Sequence, residues 1–315
     1  MNQPLKVLHI NRPKDLWVGG DYVKLEKIVE GLTKLGVEID ISEKPLITPA
    51  ILINQYDIVH IWNFSMPWAK YAVWMAGKWK KKIVCSMTYY NTEAYIPYNL
   101  QQVMMDHLDA AIYETEGEID RARKNLKVNN SYIVPNGVDS WWFEPDDGKV
   151  PFERYVLTVG RIEPNKGQLE TAKACRELGI TYVCIGDVAD AEYSNKCLAE
   201  GAMMYPSMPQ EKLKRWYKNC AVYVQASLSE TWGMAVDEAG TQGVPIVVST
   251  GFERQDIPGA IYCVHAEQQS ITDSIRHALS QERDTRFQES LKERTWDKCA
   301  EEILKIYEEI TKTNE

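Results

Sequence analysis

Glu230 and Glu238 stand eight positions apart in "SLSETWGMAVDEAGTQGVPIVVS" (227–249), on either side of the Gly233-Met234 step that begins a predicted helix. A helix start offers free backbone N–H groups to an anion, so the amides of Gly233 and Met234 are candidates to face one. Glu238 falls in the first two turns of that helix. A carboxylate there can accept hydrogen bonds from paired hydroxyls, the pair that a ribose presents. Glu230, in the preceding loop, can reach a second hydroxylated group. The competing structural reading is that Glu238 only complements the helix dipole, worth about 0.3–1 kcal/mol. That reading gives Glu230 no task.

Two cations stand in an earlier loop, "VGRIEPNKGQLE", where Arg161 and Lys166 lie five residues apart between a predicted strand and a predicted helix. Arginine contacts phosphate oxygens in bidentate fashion and lysine adds a point charge. A diphosphate can use both; the alternative is a pair of solvated surface cations. Near the start of the chain, "NRPKDLWVGGDYVKL" sets Gly19 and Gly20 before a helix beginning near Asp21. The spacing is not GxGxxG, so it does not support a dinucleotide fingerprint. The choice is between backbone approach to an anion and a plain loop closed by an Asp cap. His60, in "IVHIWN", ends a strand and is either structural or a candidate on the acceptor or sugar side.

The elements that must hold these residues alternate in type. Apolar runs at 5–10, 56–62, 82–87, 109–113 and 131–135 read as strands, with helices at 21–36, 67–81, 98–108 and 116–125 between them. The second half repeats the rhythm, with strands at 154–160, 181–186, 221–226 and 245–249 and helices at 167–179, 209–219 and 233–242. Continuous apolar strands suit parallel sheets covered on both faces. Strands alternating with helices imply right-handed βαβ units. The expected class is α/β, two Rossmann-like doubly wound domains facing a cleft, with ligands at the carboxyl ends of the strands. The expected division is 1–147, 148–295 and a final segment 296–315, with "EPDDGKVPFE" (144–153) as linker.

Composition narrows the function classes. A chain of 315 residues is long enough for two domains, and its net charge of −9 disfavours nucleic acid as the main partner. Seven cysteines without a CxxC pair read as reduced and mostly buried. No apolar run approaches the roughly 20 residues that span a bilayer. "MNQPLKVLHI" lacks a signal-peptide pattern, so the expected compartment is the cytoplasm.

Several segments carry a resemblance. "VGRIEPNKG", "ETWGMAVDEAGTQGVPIVVS", "IVPNGVDSWWFEP", "CIGDVADAEY", "MPQEKLKRWYKNCAVYVQAS" and "WDKCAEEILKIYEEI" resemble the signature segments of the family 4 retaining glycosyltransferases of GT-B fold. The resemblance is dense over 130–311 and looser before it. It implies a metal-independent glycosyltransferase acting on a nucleoside-diphosphate sugar, with no cofactor. Arg161 and Lys166 would neutralise the donor diphosphate, Glu238 would hold the ribose, and Glu230 would contact the transferred sugar near Gly233 and Met234. Gly19 and Gly20 would approach the phosphates, and Met204 and Tyr205 would flank the base. The final helix after Trp296 would pack on the N-terminal domain. Retention without a side-chain nucleophile implies front-face substitution. The chain departs from the family at Thr88, in "CSMTYYNTE", where many members carry a histidine that contacts donor sugar or neighbouring substrate. That leaves the sugar, and the catalytic contact of the missing histidine, unassigned.

"PWAKYAVWMAGKWKKK" (67–82) interleaves Trp68, Trp74 and Trp79 with five lysines. It reads either as a sheet-covering helix with wet lysines or as a peripheral membrane contact. The acceptor is unspecified: a saccharide, a lipid-linked saccharide or another hydroxylated molecule. Two other classes compete with the transferase, a non-catalytic nucleotide-sugar-binding subunit and a sugar-nucleotide epimerase on the same fold.

Overall fold

The structure is a computed structural model that describes residues 4–12, 20–43, 53–87 and 96–312. Two compact units form: residues 1–137 with 296–315, and residues 138–295.

Unit 1 is built on a six-stranded parallel sheet of order β2-β1-β3-β4-β5-β6. Its strands are β1 (Lys6–Ile10), β2 (Glu38–Ser42), β3 (Ile58–Trp62), β4 (Lys82–Ser86), β5 (Ala110–Tyr113) and β6 (Ser131–Ile133). The inner strands β3 and β5 are buried at every position, as a sheet covered on both faces requires. The edge strands β2 and β6 keep largely solvated side chains. Helices α1 (Gly20–Lys34), α2 (Pro67–Lys78), α3 (Tyr98–Met105) and α4 (Glu116–Arg123) link the strands. Thr115 caps α4 through its hydroxyl, which accepts from the Glu118 amide at 3.0 Å.

The last helix of the chain, Trp296–Lys312, belongs to unit 1. It buries Trp296, Cys299, Ala300, Ile303, Ile306, Tyr307 and Ile310, one apolar stripe at helical spacing. The stripe lies along α1, where Gly31 lets the helices approach closely. A Cβ built on Gly31 would stand 2.5 Å from Cβ of Ala300.

Unit 2 carries the second six-stranded parallel sheet, order β12-β11-β10-β7-β8-β9. The strands are β7 (Tyr155–Val159), β8 (Thr181–Ile185), β9 (Met203–Tyr205), β10 (Val222–Gln225), β11 (Ile246–Ser249) and β12 (Ile261–Cys263). Helices α5 (Gln168–Leu178), α6 (Ala191–Ala199), α7 (Gln210–Asn219), α8 (Met234–Gly240), α9 (Gln268–Leu279) and α10 (Thr285–Lys292) cover it; the final helix of unit 1 is α11. The chain runs outward from β7 through β8 to β9, then returns to β10 beside β7 and proceeds to β12. The order therefore reverses between β7 and β10, which pair through Val222 with Val156 and Tyr223 with Leu157.

The division between units falls at 137/138, and the Pro/Asp/Gly-rich stretch after it is docked, not free. Trp142 is buried, stacks on Trp141 at 4.4 Å and meets Tyr217 edge-on at 5.8 Å. Lys214 donates to the Trp141 carbonyl at 2.5 Å and Asn219 to the Gly148 carbonyl at 3.2 Å. Apolar burial by Trp142 and Phe152 outweighs the linker-like composition around them. All seven cysteines are buried free thiols.

Candidate functional site

In an open parallel sheet, the loops after the two strands that flank the reversal splay apart and leave a crevice at the carboxyl edge. In unit 2 these loops follow β7 and β10, and they carry Arg161, Lys166 and Glu230. After β7 the chain passes Arg161, turns through a short 3-10 helix at Pro164–Lys166, and enters α5 through Gly167. Gly167 is left-handed at φ +69°, and a Cβ there would stand 2.3 Å from the Ala226 carbonyl oxygen. Only glycine allows this approach, and it sets Lys166 against the loop after β10. The two loops are stitched by backbone. The Leu228 amide donates to Asn165 O at 2.7 Å, and Asn165 Nδ2 donates to Ser229 O at 3.2 Å. A third loop holds Glu230 on both sides: its amide donates to Gly251 O at 3.1 Å, and its carbonyl accepts from the Glu253 amide at 2.9 Å.

Lys166 and Glu230 meet directly. Lys166 Nζ lies 2.5 Å from Glu230 Oε2, with side chains 16% and 19% exposed. The same oxygen accepts from Gln225 Nε2 at 2.8 Å. Gln225, buried at the end of β10, is itself held by the Tyr223 hydroxyl, which donates to Gln225 Oε1 at 2.8 Å. A buried relay from Tyr223 through Gln225 thus fixes the carboxylate that Lys166 neutralises. Arg161 stands apart, 64% exposed and paired with Glu163 at 3.1 Å. A side chain this exposed is free to reorient toward an anion at small cost.

Glu238 lies on α8. Its two oxygens accept from Gln210 Nε2 at 3.0 Å and from the Tyr217 hydroxyl at 2.7 Å. Desolvation pushes its carboxyl up to about 7, and the nearby Asp237 and Asp139 add to the rise, against the two hydrogen bonds that lower it. The segment between Glu230 and Glu238 is clamped from beneath. Asp237 accepts from Trp232 Nε1 at 2.6 Å, from Arg254 at 2.7 Å and from Arg294 at 2.7 Å. Both guanidinium groups also lie against the Trp232 ring, at 4.3 and 4.5 Å. Gly233, left-handed at φ +78°, leads into α8, and Met234 is its first residue.

Met204 and Tyr205 are neighbours on β9, so their side chains leave opposite faces of the sheet. The Met204 sulfur accepts from the Ser194 hydroxyl at 3.2 Å, whereas the Tyr205 ring packs on Trp216 at 5.0 Å and meets Phe152 edge-on at 6.5 Å.

In unit 1 the strand order reverses between β1 and β3. Gly20 is exposed at the start of α1, while Gly19 and Thr88 lie outside the described residues. Beside Gly20, Asp21 accepts from the fully buried Arg12 at 2.9 and 3.2 Å and from Asn63 at 3.2 Å. His60 is a core residue of unit 1 and does not reach its surface. Its Nδ1 contacts the Tyr307 hydroxyl at 2.5 Å and its Nε2 the Ser86 hydroxyl at 2.9 Å. The His9 ring sits 4.7 Å away, and burial holds both histidines well below the ordinary imidazole range. Among the described residues no group of three or more His, Cys, Asp or Glu side chains is arranged to hold a metal ion.

Nothing in the sequence signals Gln225, which sits in an apolar strand, or the Asp237 clamp. Asp237 is adjacent to Glu238, but its partners Arg254 and Arg294 lie far along the chain in segments that carried no motif.

The chain is similar to known proteins in the sequence of unit 2 and in fold. The family model "Glycosyl transferases group 1" matches residues 143–296, which is essentially unit 2. The D-inositol 3-phosphate glycosyltransferase of Segniliparus rotundus is 28% identical over 139 residues, 37% of this chain and 31% of that protein. The GDP-mannose-dependent alpha-mannosyltransferase of Corynebacterium glutamicum is 24% identical over 204 residues, 58% of this chain and 48% of that protein. The aligned regions therefore span between 31% and 48% of these two curated relatives. Anabaena Alr3699/HepE, solved in complex with UDP and glucose, superposes with a TM-score of 0.79 over 97% of this chain and all of that one, at 12% identity. At that identity the likeness is one of fold: two Rossmann-like units in one chain, as in the GT-B fold.

Proposed function

We propose that the chain is a retaining glycosyltransferase that moves a sugar from a nucleoside-diphosphate sugar to a hydroxylated acceptor. The observation that carries this reading is the convergence of Lys166 and Gln225 on Glu230 at the strand-order reversal of unit 2. A nucleoside-diphosphate leaving group gains negative charge as the glycosidic bond breaks. Lys166 and Arg161 supply fixed and mobile positive charge there, and the amides of Gly233 and Met234 add backbone donors.

The Lys166–Glu230 pair gives the free protein a resting state. A diphosphate competes for Lys166, and Glu230 then turns to the hydroxyls of the transferred sugar. Gln225 stays on Oε2 throughout, so the carboxylate is never left without a donor. Glu238 takes the ribose hydroxyls in its charged form, exchanging them for Gln210 or Tyr217. Met204 and Tyr205 mark the base end of the donor. The departing diphosphate and the incoming hydroxyl share one face of the sugar, which gives retention without a protein nucleophile. The relatives' names support donors of this class, and they differ in base: GDP-mannose for one, UDP for the solved neighbour. The acceptor belongs to the same proposal only as a class, a hydroxylated saccharide, lipid-linked saccharide or polyol. The proposed compartment is the cytoplasm, where seven free thiols stay reduced.

The test is donor turnover. The chain is incubated with UDP-, GDP- and ADP-sugars without acceptor, and both nucleotide release and the recovered donor are followed. Slow release of a nucleoside diphosphate supports the transferase. An epimerised donor points to an epimerase, and tight donor binding with no turnover under any condition points to a binding subunit.

A further inference from the structure

The outer face of α2 takes no part in the site above. The inner face buries Ala69, Ala72, Val73, Met75 and Ala76 on the sheet. On the outer side Lys70, Trp74 and Lys78 are exposed, with the half-buried Tyr71 between them and the core. Trp74 is 62% exposed and Trp79, just past the helix, 37%. Lys78 Nζ lies 5.8 Å from the centre of the Trp74 ring, and the centres of the Tyr71 and Trp74 rings lie 6.4 Å apart. Lys82 pairs with Asp109 at 3.1 Å and Lys81 donates to the Asn54 carbonyl at 2.8 Å. Lys70, Lys78 and Lys80 make no ion pair among the described residues. The exposed carboxylate at the end of neighbouring α3, Asp106, is engaged by Gln102 at 2.8 Å.

Charge is segregated here along the sequence as well. Residues 58–92 contain five lysines and no Asp or Glu, in a chain with 45 acidic residues and a net charge of −9. A basic patch on an acidic chain selects an anionic partner. Exposed indoles flanked by lysines select a surface that is apolar just beneath its charge. Trp and Tyr settle at the headgroup level of a bilayer, and lysine stems reach from apolar ground to the phosphates.

We propose that this face of α2 docks on an anionic lipid surface, with Trp74 and Trp79 at headgroup depth and Lys70, Lys78 and Lys80 against the lipid phosphates. The inference is independent of the donor site and stands whether or not that reading holds.

Co-sedimentation of the full chain with vesicles of phosphatidylcholine, alone or mixed with phosphatidylglycerol, tests it. The expected result is binding to the mixed vesicles at low salt, little binding to phosphatidylcholine, and loss of binding as salt rises. Each lysine near an anionic surface is worth about a five-fold change in partition, so K70A/K78A/K80A together should weaken it about a hundred-fold. Trp74→Ala should weaken binding at every salt concentration, because its apolar contribution is not screened. All four substituted side chains are exposed, so the variants should melt with the wild type. The salt series on the wild type needs no variant at all. Absence of wild-type binding to anionic vesicles, equal binding to both vesicle types, or an unchanged partition in the triple variant overturns the proposal. So does a change in oligomeric state of Trp74→Ala without vesicles, which assigns the face to a protein contact.

Discussion

Replacing Glu238 with glutamine should make the protein more stable above neutral pH and at the same time remove donor binding. The carboxyl has an ordinary pKa of 4.5 that the fold raises to about 7, chiefly by desolvation. At 1.36 kcal/mol for each tenfold change in proton affinity, holding it ionised in the folded state costs about 3 kcal/mol. The sign follows from proton counting. The folded state binds this proton more tightly than the unfolded state, so the group costs nothing below about pH 4.5. The cost grows as pH rises and is complete above about 7. In Glu238→Gln the side chain carries no charge and escapes this cost, while its amide oxygen still accepts one bond from Tyr217 or Gln210. The two hydrogen bonds are already counted in the raised pKa, so relative to their difference in mild acid, where both side chains are uncharged, the variant should gain about 3 kcal/mol over the wild type above neutral pH. Urea unfolding of both proteins from pH 5 to 8.5 reads this directly, as the difference between them. Glu238 is thus held at a site that would be more stable without its charge, the trade expected of a functional group. Equal stability at every pH, or a variant that is weaker above neutral pH, refutes the reasoning.

Two further perturbations separate positioning from scaffold. Gln225→Leu removes the second donor on Glu230 Oε2 while the Tyr223 hydroxyl keeps the Val159 carbonyl at 3.4 Å. Hydrogen bonds to charged groups are worth about 1.5–3 kcal/mol, so donor affinity should fall ten-fold or more with stability changed by about 1 kcal/mol; calorimetric titration checks the first and denaturant unfolding the second. Asp237→Asn leaves Arg254 and Arg294 facing a neutral amide beneath Trp232. Breaking a buried ion pair costs about 3–5 kcal/mol, seen as a lower denaturant midpoint, and the loss should persist whether or not donor is present.

Much of the fold was legible because the central strands are short, continuous apolar runs. "IVHIW" and "AAIY" are buried throughout, the pattern and length that a parallel strand covered on both faces requires. Strand β2, "EIDIS", passed unread because an edge strand with solvated side chains has no apolar pattern to show. The same holds for the edge strand β12, whereas α9 and α10 bury apolar residues at helical spacing, Ile271, Ile275 and Ala278 in one and Phe287 and Leu291 in the other, but adjoin no motif. The candidate site was legible in its members but not in its contacts. Lys166 and Glu230 are 64 residues apart, and their meeting depends on β10 lying beside β7, a fact of sheet order. Local sequence does not encode that order. His60 and Gln225 show the complementary difficulty. Each is a polar residue in an apolar strand; one serves the core of unit 1 and the other serves Glu230, and only the partners of each distinguish them.

The central claim is that the Lys166–Glu230 junction receives the phosphates and sugar of a nucleoside-diphosphate sugar. Its most direct test is the dissociation constant of UDP-, GDP- and ADP-sugars for the wild type and for Lys166→Ala, with unfolding curves confirming that both are folded. The account predicts that the wild type binds at least one of these donors and that Lys166→Ala binds it at least about ten-fold more weakly. Equal affinity in the two proteins, or no binding of any donor by the wild type, contradicts it.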